Sequence, residues 1–414
     1  MSKVVPMPEG DLDRFADIVG NAYPAFSLST PEDREKFKKN MGETYESPDR
    51  CIYGLYREGE LLGGMIFYDF AINLFSAMQP VGGVGMVAVD LVHKKEKVAK
   101  EMIEFFLDHY YERDFPLTML YPFRPDFYKK MGFGYGTKVN QYRVSPTSLP
   151  RGESKAHVRF LKAEDMEAVI GCYNRVVERT HGMTYIPAFR WRKLFEQGGG
   201  RVVGYERDGR LQGYLIYSFE KGKNFLQNDL VIDEMFYENR EALSELLTFL
   251  HSQHDQVKVI VFSHHDDTFQ HLLFDPTNGR GNLFGPISHE SNIQGVGLMY
   301  RVINMPGIFG AMAGRDFGGQ NCRLLITVRD SFFPQQAGST VVYFENGRAA
   351  VVPNGDYEVE MSLDVSDFSS LLMGVISFRK LYEYGLVELS DPAYIDLLHR
   401  LFFVETKPIC ITRF

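Results

Sequence analysis

The chain has 414 residues, 44% of them hydrophobic and 24% charged, which is the balance of an ordinary globular protein with room for two to four domains. Its net charge of −9 argues against a general binder of nucleic acid or anionic membrane, because either needs a dominant basic surface. Four scattered cysteines with no CxxC pair read as reduced thiols of a cytoplasmic protein without a zinc site, and no uncharged apolar run reaches membrane-spanning length.

In chain order, Leu12, Phe15, Ile18 and Val19 predict a first helix over 11–22. Residues 52–56 and 61–70 are β-rich and flank Arg57-Glu58-Gly59-Glu60, which predicts a hairpin. The apolar run Val84-Gly85-Met86-Val87-Ala88-Val89 reads as a buried strand, and Val98, Met102, Phe105 and Phe106 as one face of a helix that follows it. Between them lies a corner with His93, Lys94, Lys95 and Lys97. A helix starts there with free N–H groups and the positive end of its dipole, a suitable place for a phosphate, although solvated lysines account for it equally well. A strand over 118–121, a short helix over 126–131 ended by Gly132, and a closing strand over 137–144 complete a first domain.

The pattern then recurs. Tyr56-Arg57-Glu58-Gly59-Glu60-Leu61 is echoed by Tyr205-Glu206-Arg207-Asp208-Gly209-Arg210-Leu211, and Val89-Asp90 before a helix by Ile232-Asp233 before another. In this copy the corner reads Phe236-Tyr237-Glu238-Asn239-Arg240-Glu241, with acids in place of the lysine cluster, so phosphate binding is not expected there. Residues 276–297 are rich in Gly, Asn and Pro and predict loops. Beyond them strands over 322–328, 340–344 and 357–363 precede helices over 364–373 and 394–403, an α+β arrangement unlike the two repeats. The expected domains are therefore 1–148, 149–288 and 289–414.

Several residues invite a functional reading from type alone. His181, His264 and His265 have no metal-ligand spacing, Asp266-Asp267 suits a helix cap, and no G-x-S-x-G nucleophile elbow occurs. Tyr128, read without further context, is a half-buried helix tyrosine, and Phe414 an ordinary chain end.

The segment Asp126-Phe127-Tyr128-Lys129-Lys130-Met131-Gly132-Phe133-Gly134-Tyr135, following a strand, basic turn and helix, resembles the GNAT acyltransferases. Their phosphate loop, usually Arg/Gln-x-x-Gly-x-Gly/Ala, matches Lys94-Lys95-Glu96-Lys97-Val98-Ala99, with Lys97 where the family keeps a glycine. With Asp233-Glu234-Met235-Phe236, Met299-Tyr300-Arg301-Val302-Ile303-Asn304 and a last domain ending in Phe, the whole chain resembles the Eis (enhanced intracellular survival) family: two tandem GNAT-like domains followed by a sterol-carrier-protein-like α+β domain. The resemblance implies an N-acetyltransferase that uses acetyl coenzyme A, and no metal, on a primary amine of a small molecule or peptide, polyamine, aminoglycoside-like or lysine-like. It implies that Val87, Ala88 and Val89 run along the pantetheine arm, and that Lys94, Lys95, Lys97, Val98 and Ala99 surround the pyrophosphate. Tyr128 would be the general acid and the terminal carboxylate of Phe414 the general base, in a homo-oligomer, a hexamer by family likeness. A different class of reading is a non-catalytic acyl coenzyme A sensor or lipid-binding protein, favoured by Lys97 at the glycine position.

Overall fold

The helical spacing of Leu12, Phe15, Ile18 and Val19 buries that face of helix α1 (Leu12–Ala22) against the N-terminal sheet of a computed structural model, which describes residues 2–26, 28–196, 200–222, 227–412 and 414. Helix α2 (Pro31–Tyr45) is not among the elements that periodicity predicts. Its apolar face is thin, with Phe37 and Met41 as its buried hydrophobic residues, and what marks its start is Thr30, whose hydroxyl accepts the Asp33 N–H at 3.1 Å.

By contacts the chain divides into residues 1–136 with 298–414, and residues 137–297. In the first unit, strands β1 (Ser2–Pro6), β2 (Arg50–Arg57), β3 (Glu60–Leu74) and β4 (Ala77–Val89) form an antiparallel ribbon. Helix α3 (Val98–Tyr111) then returns the chain so that β5 (Leu117–Leu120) lies parallel to β4, and α4 (Pro125–Lys129) leads to the short β6 (Gly134–Tyr135). The expected hairpin, buried strand, amphipathic helix and next strand are all present.

One expectation is corrected. Residues 139–144 do not close the first sheet. They pair antiparallel with Val257–His264 and with Asn292–Gly295 in the second unit, and the place beside β5 is taken by Met299–Val302, which also pairs with β6. The two segments have similar alternating patterns, and alternation says which face is buried but not which sheet is joined. The stretch 276–297 likewise includes strands within its loops, Asn292–Gly295 and the short antiparallel pair Leu283–Phe284 and Ser288–His289.

The second unit repeats the first around its core. Strand Asn228–Tyr237, helix Arg240–His251 and the parallel strand Val257–His264 reproduce β4, α3 and β5. The C-terminal segment of the first unit adds, among the described residues, a five-stranded sheet in the order Arg348–Val351, Gly338–Glu345, Cys322–Arg329, Val359–Asp364 and Val387–Leu389. Its core is continuous with Phe70, Ile72, Leu74, Val81, Leu117 and Met119 of the N-terminal sheet, so one apolar cluster ties the two ends of the chain together. Helix Val365–Leu372 packs on β6 and on Met299–Val302, and Asp367 pairs with Lys129 of α4 at 2.5 Å. No described helix is long and apolar enough to cross a membrane.

Candidate acyl-transfer site

Parallel strands β4 and β5 are hydrogen-bonded only from Val81–Leu117 to Val84–Leu120, because β5 stops at Leu120 and Pro122 cannot extend the ladder. From there β4 runs on alone as far as Val89. On its other side Gly64 pairs with Ala88 and Ile66 with Gly85, so Met65 faces two residues, Met86 and Val87. This bulge, with Met86 at a φ of 49°, releases β4 backbone from the ladder beside the open side of the strand.

A cavity of about 370 Å³ lies at this parting, lined by Val84, Gly85, Met86 and Val87 of β4, by Tyr121, Pro122 and Phe123 after β5, and by Tyr128 of α4. Tyr23 and Phe26 after α1, Tyr68 of β3, and Phe414 complete the wall. Phe414 reaches it although it is remote in sequence. Its ring sits in a box of Phe70, Tyr68 and Tyr121, with centroids 5.0, 5.4 and 5.5 Å away, and the Tyr121 hydroxyl donates to the Cys410 carbonyl at 3.2 Å, holding the tail in place. Gly85 makes room for the chain end: a Cβ there would stand 3.1 Å from the Phe414 carboxyl carbon and 3.2 Å from the Tyr68 ring. Glycine inside a strand signals such a close approach, and Gly82-Gly83-Val84-Gly85 is the sequence signal by which this docking surface could have been found.

Tyr128 is on the buried side of α4, 2% exposed, against Phe133, Phe123 and Phe127 at 5.9, 5.7 and 5.3 Å. Burial first, and then the neighbouring Tyr23 hydroxyl, push its phenol well above the ordinary 10.0, so it holds its proton firmly. Tyr23 itself donates to the Val87 carbonyl at 2.6 Å, which commits that oxygen and ties α1 to the bulge. The chain turns after α4 at Gly132, where φ is 80° and a Cβ would fall 1.4 Å from Nη1 of the buried Arg301.

The basic corner lies at the end of β4. Lys94, Lys95 and Lys97 are exposed, Val98 is buried under the first turn of α3, and Ala99 is partly buried. Lys95 and Lys97 have φ of 71° and 66°, so the lysine at the family's glycine position adopts the backbone shape that glycine usually supplies. The Val98, Ala99 and Lys100 N–H groups precede the first α3 bond, from the Glu101 N–H to the Lys97 carbonyl at 2.9 Å. The acid within the corner, Glu96, is engaged by Arg57 at 2.8 Å, a contact from the β2–β3 hairpin that spacing along the sequence does not reveal. These residues fit a diphosphate: cations, exposed N–H groups and a helix start, with the internal carboxylate already paired.

The structure thus gathers Val87, Tyr128 and Phe414 around one cavity and sets Lys94 to Ala99 at the following helix start. Val89 stays on β4 opposite Gly63, whereas Ala88 is turned away, 1% exposed in the cluster beneath α1. In the second unit the matching corner is occupied by a protein anion. Glu238 accepts hydrogen bonds from Arg175 and Arg210 at 2.7 and 2.6 Å, and Asn239 caps the helix through the Ala242 N–H.

A bulged strand parting from its parallel neighbour, followed by a helix whose start faces outward, is the core arrangement of the GNAT fold. Comparison with known families agrees: residues 3–136 and 182–295 match acetyltransferase (GNAT) domains, and residues 309–411 a sterol carrier protein domain. An uncharacterized N-acetyltransferase of Streptomyces avermitilis is 27% identical over 195 residues, 43% of this chain and 46% of the relative, so the match spans about half of that relative's length. Among solved structures, a GCN5-related N-acetyltransferase from Anabaena variabilis superposes over 100% of both chains with a TM-score of 0.83 at 18% identity. Eis1 from Mycobacterium abscessus does so over 100% of both with a TM-score of 0.77 at 19% identity. The chain belongs to the GNAT acetyltransferases, with two GNAT domains followed by a sterol carrier protein domain, and it shares its fold with Eis1.

Proposed function

We propose that the chain transfers the acetyl group of acetyl coenzyme A directly to a primary amine in the first GNAT domain, with Tyr128 as general acid and the Phe414 carboxylate as general base. The observation that supports this most is the meeting of these two groups, far apart in sequence, on the wall of one cavity where β4 parts from β5. In this reading Lys94, Lys95, Lys97 and the first turn of α3 hold the diphosphate, and the thioester lies along β4 toward the bulge. The amine nitrogen attacks the thioester carbonyl, a C–N bond forms and the C–S bond breaks. The ammonium proton passes to the carboxylate, directly or through water, and the leaving thiolate takes the Tyr128 proton. An N–H at the bulge near Val87 would meet the developing oxyanion.

The acid and base suit their tasks. An amine with a pKa of about 10.4 must lose a proton before it attacks, and a terminal carboxylate, whose pKa in water is about 3.5, becomes a better base as apolar surroundings desolvate it. Because the Tyr128 pKa is raised, the phenol stays protonated as pH rises past its ordinary value. The expected pH profile of kcat/KM therefore climbs through the alkaline range as the amine deprotonates and does not turn down below pH of about 10. A descending limb at neutral pH, seen with several amines, would remove Tyr128 from the acid role.

Thiol release from acetyl coenzyme A, followed with a series of primary amines, tests the transfer, and calorimetry with coenzyme A tests the donor site. Lys97→Glu should weaken coenzyme binding roughly tenfold, since it sets a carboxylate beside the diphosphate, whereas Lys97→Gly should stay within about threefold because the backbone is already glycine-like. Equal affinity in Lys97→Glu would move the diphosphate away from this corner. Tight coenzyme binding without turnover of any amine would favour the sensor reading. A cytoplasmic homo-oligomer is part of the same proposal; the location rests on the four scattered cysteines and the oligomer on the family likeness alone.

A further inference from the structure

We infer that the amine acceptor carries one ammonium on a short linker to a flat aromatic body, and that Phe26 and Phe123 form the clamp that selects it. The inference rests on the transferase reading and gives the acceptor a chemical class. The net charge of −9 would favour a polycation if the acids faced the site, but they do not. Among the described residues that line the cavity, none has an acidic or basic side chain, and the charge there is the single terminal carboxylate.

Six of the lining residues besides Phe414 are Tyr or Phe. One carboxylate balances one ammonium. The second and third ammonium groups of a polyamine or an aminoglycoside would be stripped of water against aromatic walls with no counter-ion, which opposes their binding. The same walls favour the neutral form of a single amine, which is the form that attacks.

The mouth of the cavity points the same way. Phe26 is 47% exposed and Phe123 56%, and both rings pack against Tyr23, edge-on at 5.9 and 6.4 Å. Phe123 also sits edge-on to Tyr128 at 5.7 Å, so a ring resting on the exposed faces of Phe26 and Phe123 would have its side-chain amine next to the reacting groups. Exposed aromatic side chains at the rim of an aromatic pocket are a binding surface in waiting. About 370 Å³ is at the small end for a ligand cavity and must admit the thioester as well, which suits a one-ring amine better than a sugar-based polycation.

The test uses the full chain with saturating acetyl coenzyme A and compares 2-phenylethylamine, propylamine, spermidine and a neomycin-type aminoglycoside. The expected kcat/KM for 2-phenylethylamine exceeds that for spermidine and for the aminoglycoside at least tenfold. Phe123→Ala should reduce the 2-phenylethylamine value about tenfold more than the propylamine value, mainly through KM. Spermidine or the aminoglycoside turned over as well as 2-phenylethylamine, or equal effects of Phe123→Ala on both monoamines, would overturn the inference. Calorimetry of the amines with the coenzyme A complex separates this from a failure of the transferase reading. Tighter binding of 2-phenylethylamine than of spermidine supports the clamp even if no amine turns over, and the reverse order sinks it.

Discussion

A chain lacking Phe414 is expected to lose roughly 10²–10⁴-fold in kcat, the usual contribution of a positioned general acid or base, while its affinity for coenzyme A changes little. Two controls separate the carboxylate from the ring. Extension of the chain by one glycine leaves the Phe414 ring in its box of Tyr68, Phe70 and Tyr121 but turns the carboxylate beside Gly85 into an amide, so it should be nearly as damaging as truncation. Phe414→Leu keeps the carboxylate and loses ring contacts, so it should be the mildest of the three. Tyr128→Phe should match the truncation in size, since it removes the proton donor to the thiolate without disturbing the packing of α4. Truncated and extended chains that both keep wild-type rates in a thiol-release assay would take the terminal carboxylate out of the mechanism.

The second large effect concerns stability. Arg301 and Asp330 are 0% and 1% exposed at the side chain and meet at 2.5 Å behind the turn that ends α4. Asp330 also accepts the N–H groups of Phe332 and Phe333 at 3.1 and 2.9 Å, so its carboxylate is satisfied on several sides. Asp330→Ala would leave a buried guanidinium unpaired and should lower the unfolding free energy of the first unit by about 3–5 kcal/mol. Denaturant midpoints would show it. Replacing both partners together, as Arg301→Met with Asp330→Leu, should be milder than Asp330→Ala alone, because no uncompensated charge remains. If the double variant were the less stable, the pair would be contributing through its geometry and not through mutual neutralisation. Activity should fall along with stability in the single variant, since Arg301 packs under Gly132, four residues beyond Tyr128.

Much of this was legible along the chain. The helix over 11–22, the hairpin at 57–60, the β4–α3–β5 succession, its echo in the second unit and the α+β character of the last hundred residues all follow from local periodicity and turn residues, which need no partner to be recognised. The basic corner was legible for the same reason, being a run of neighbouring residues. Helix α2 was not, because so few of its residues face the core.

Left to itself, the sequence determined most of the element types, the duplication, the lysine corner and the family likeness, all of which are short-range patterns or their repetition. Only the tertiary structure decided that Val139–Val144 and Met299–Val302 join the sheets they do, that Lys97 takes up a glycine-like backbone, that Arg57 occupies Glu96, and that six aromatic residues line one cavity with Phe414. The reason is physical: a strand's alternation marks its buried face, whereas its neighbour is chosen by hydrogen bonds and packing to residues that lie more than a hundred positions away.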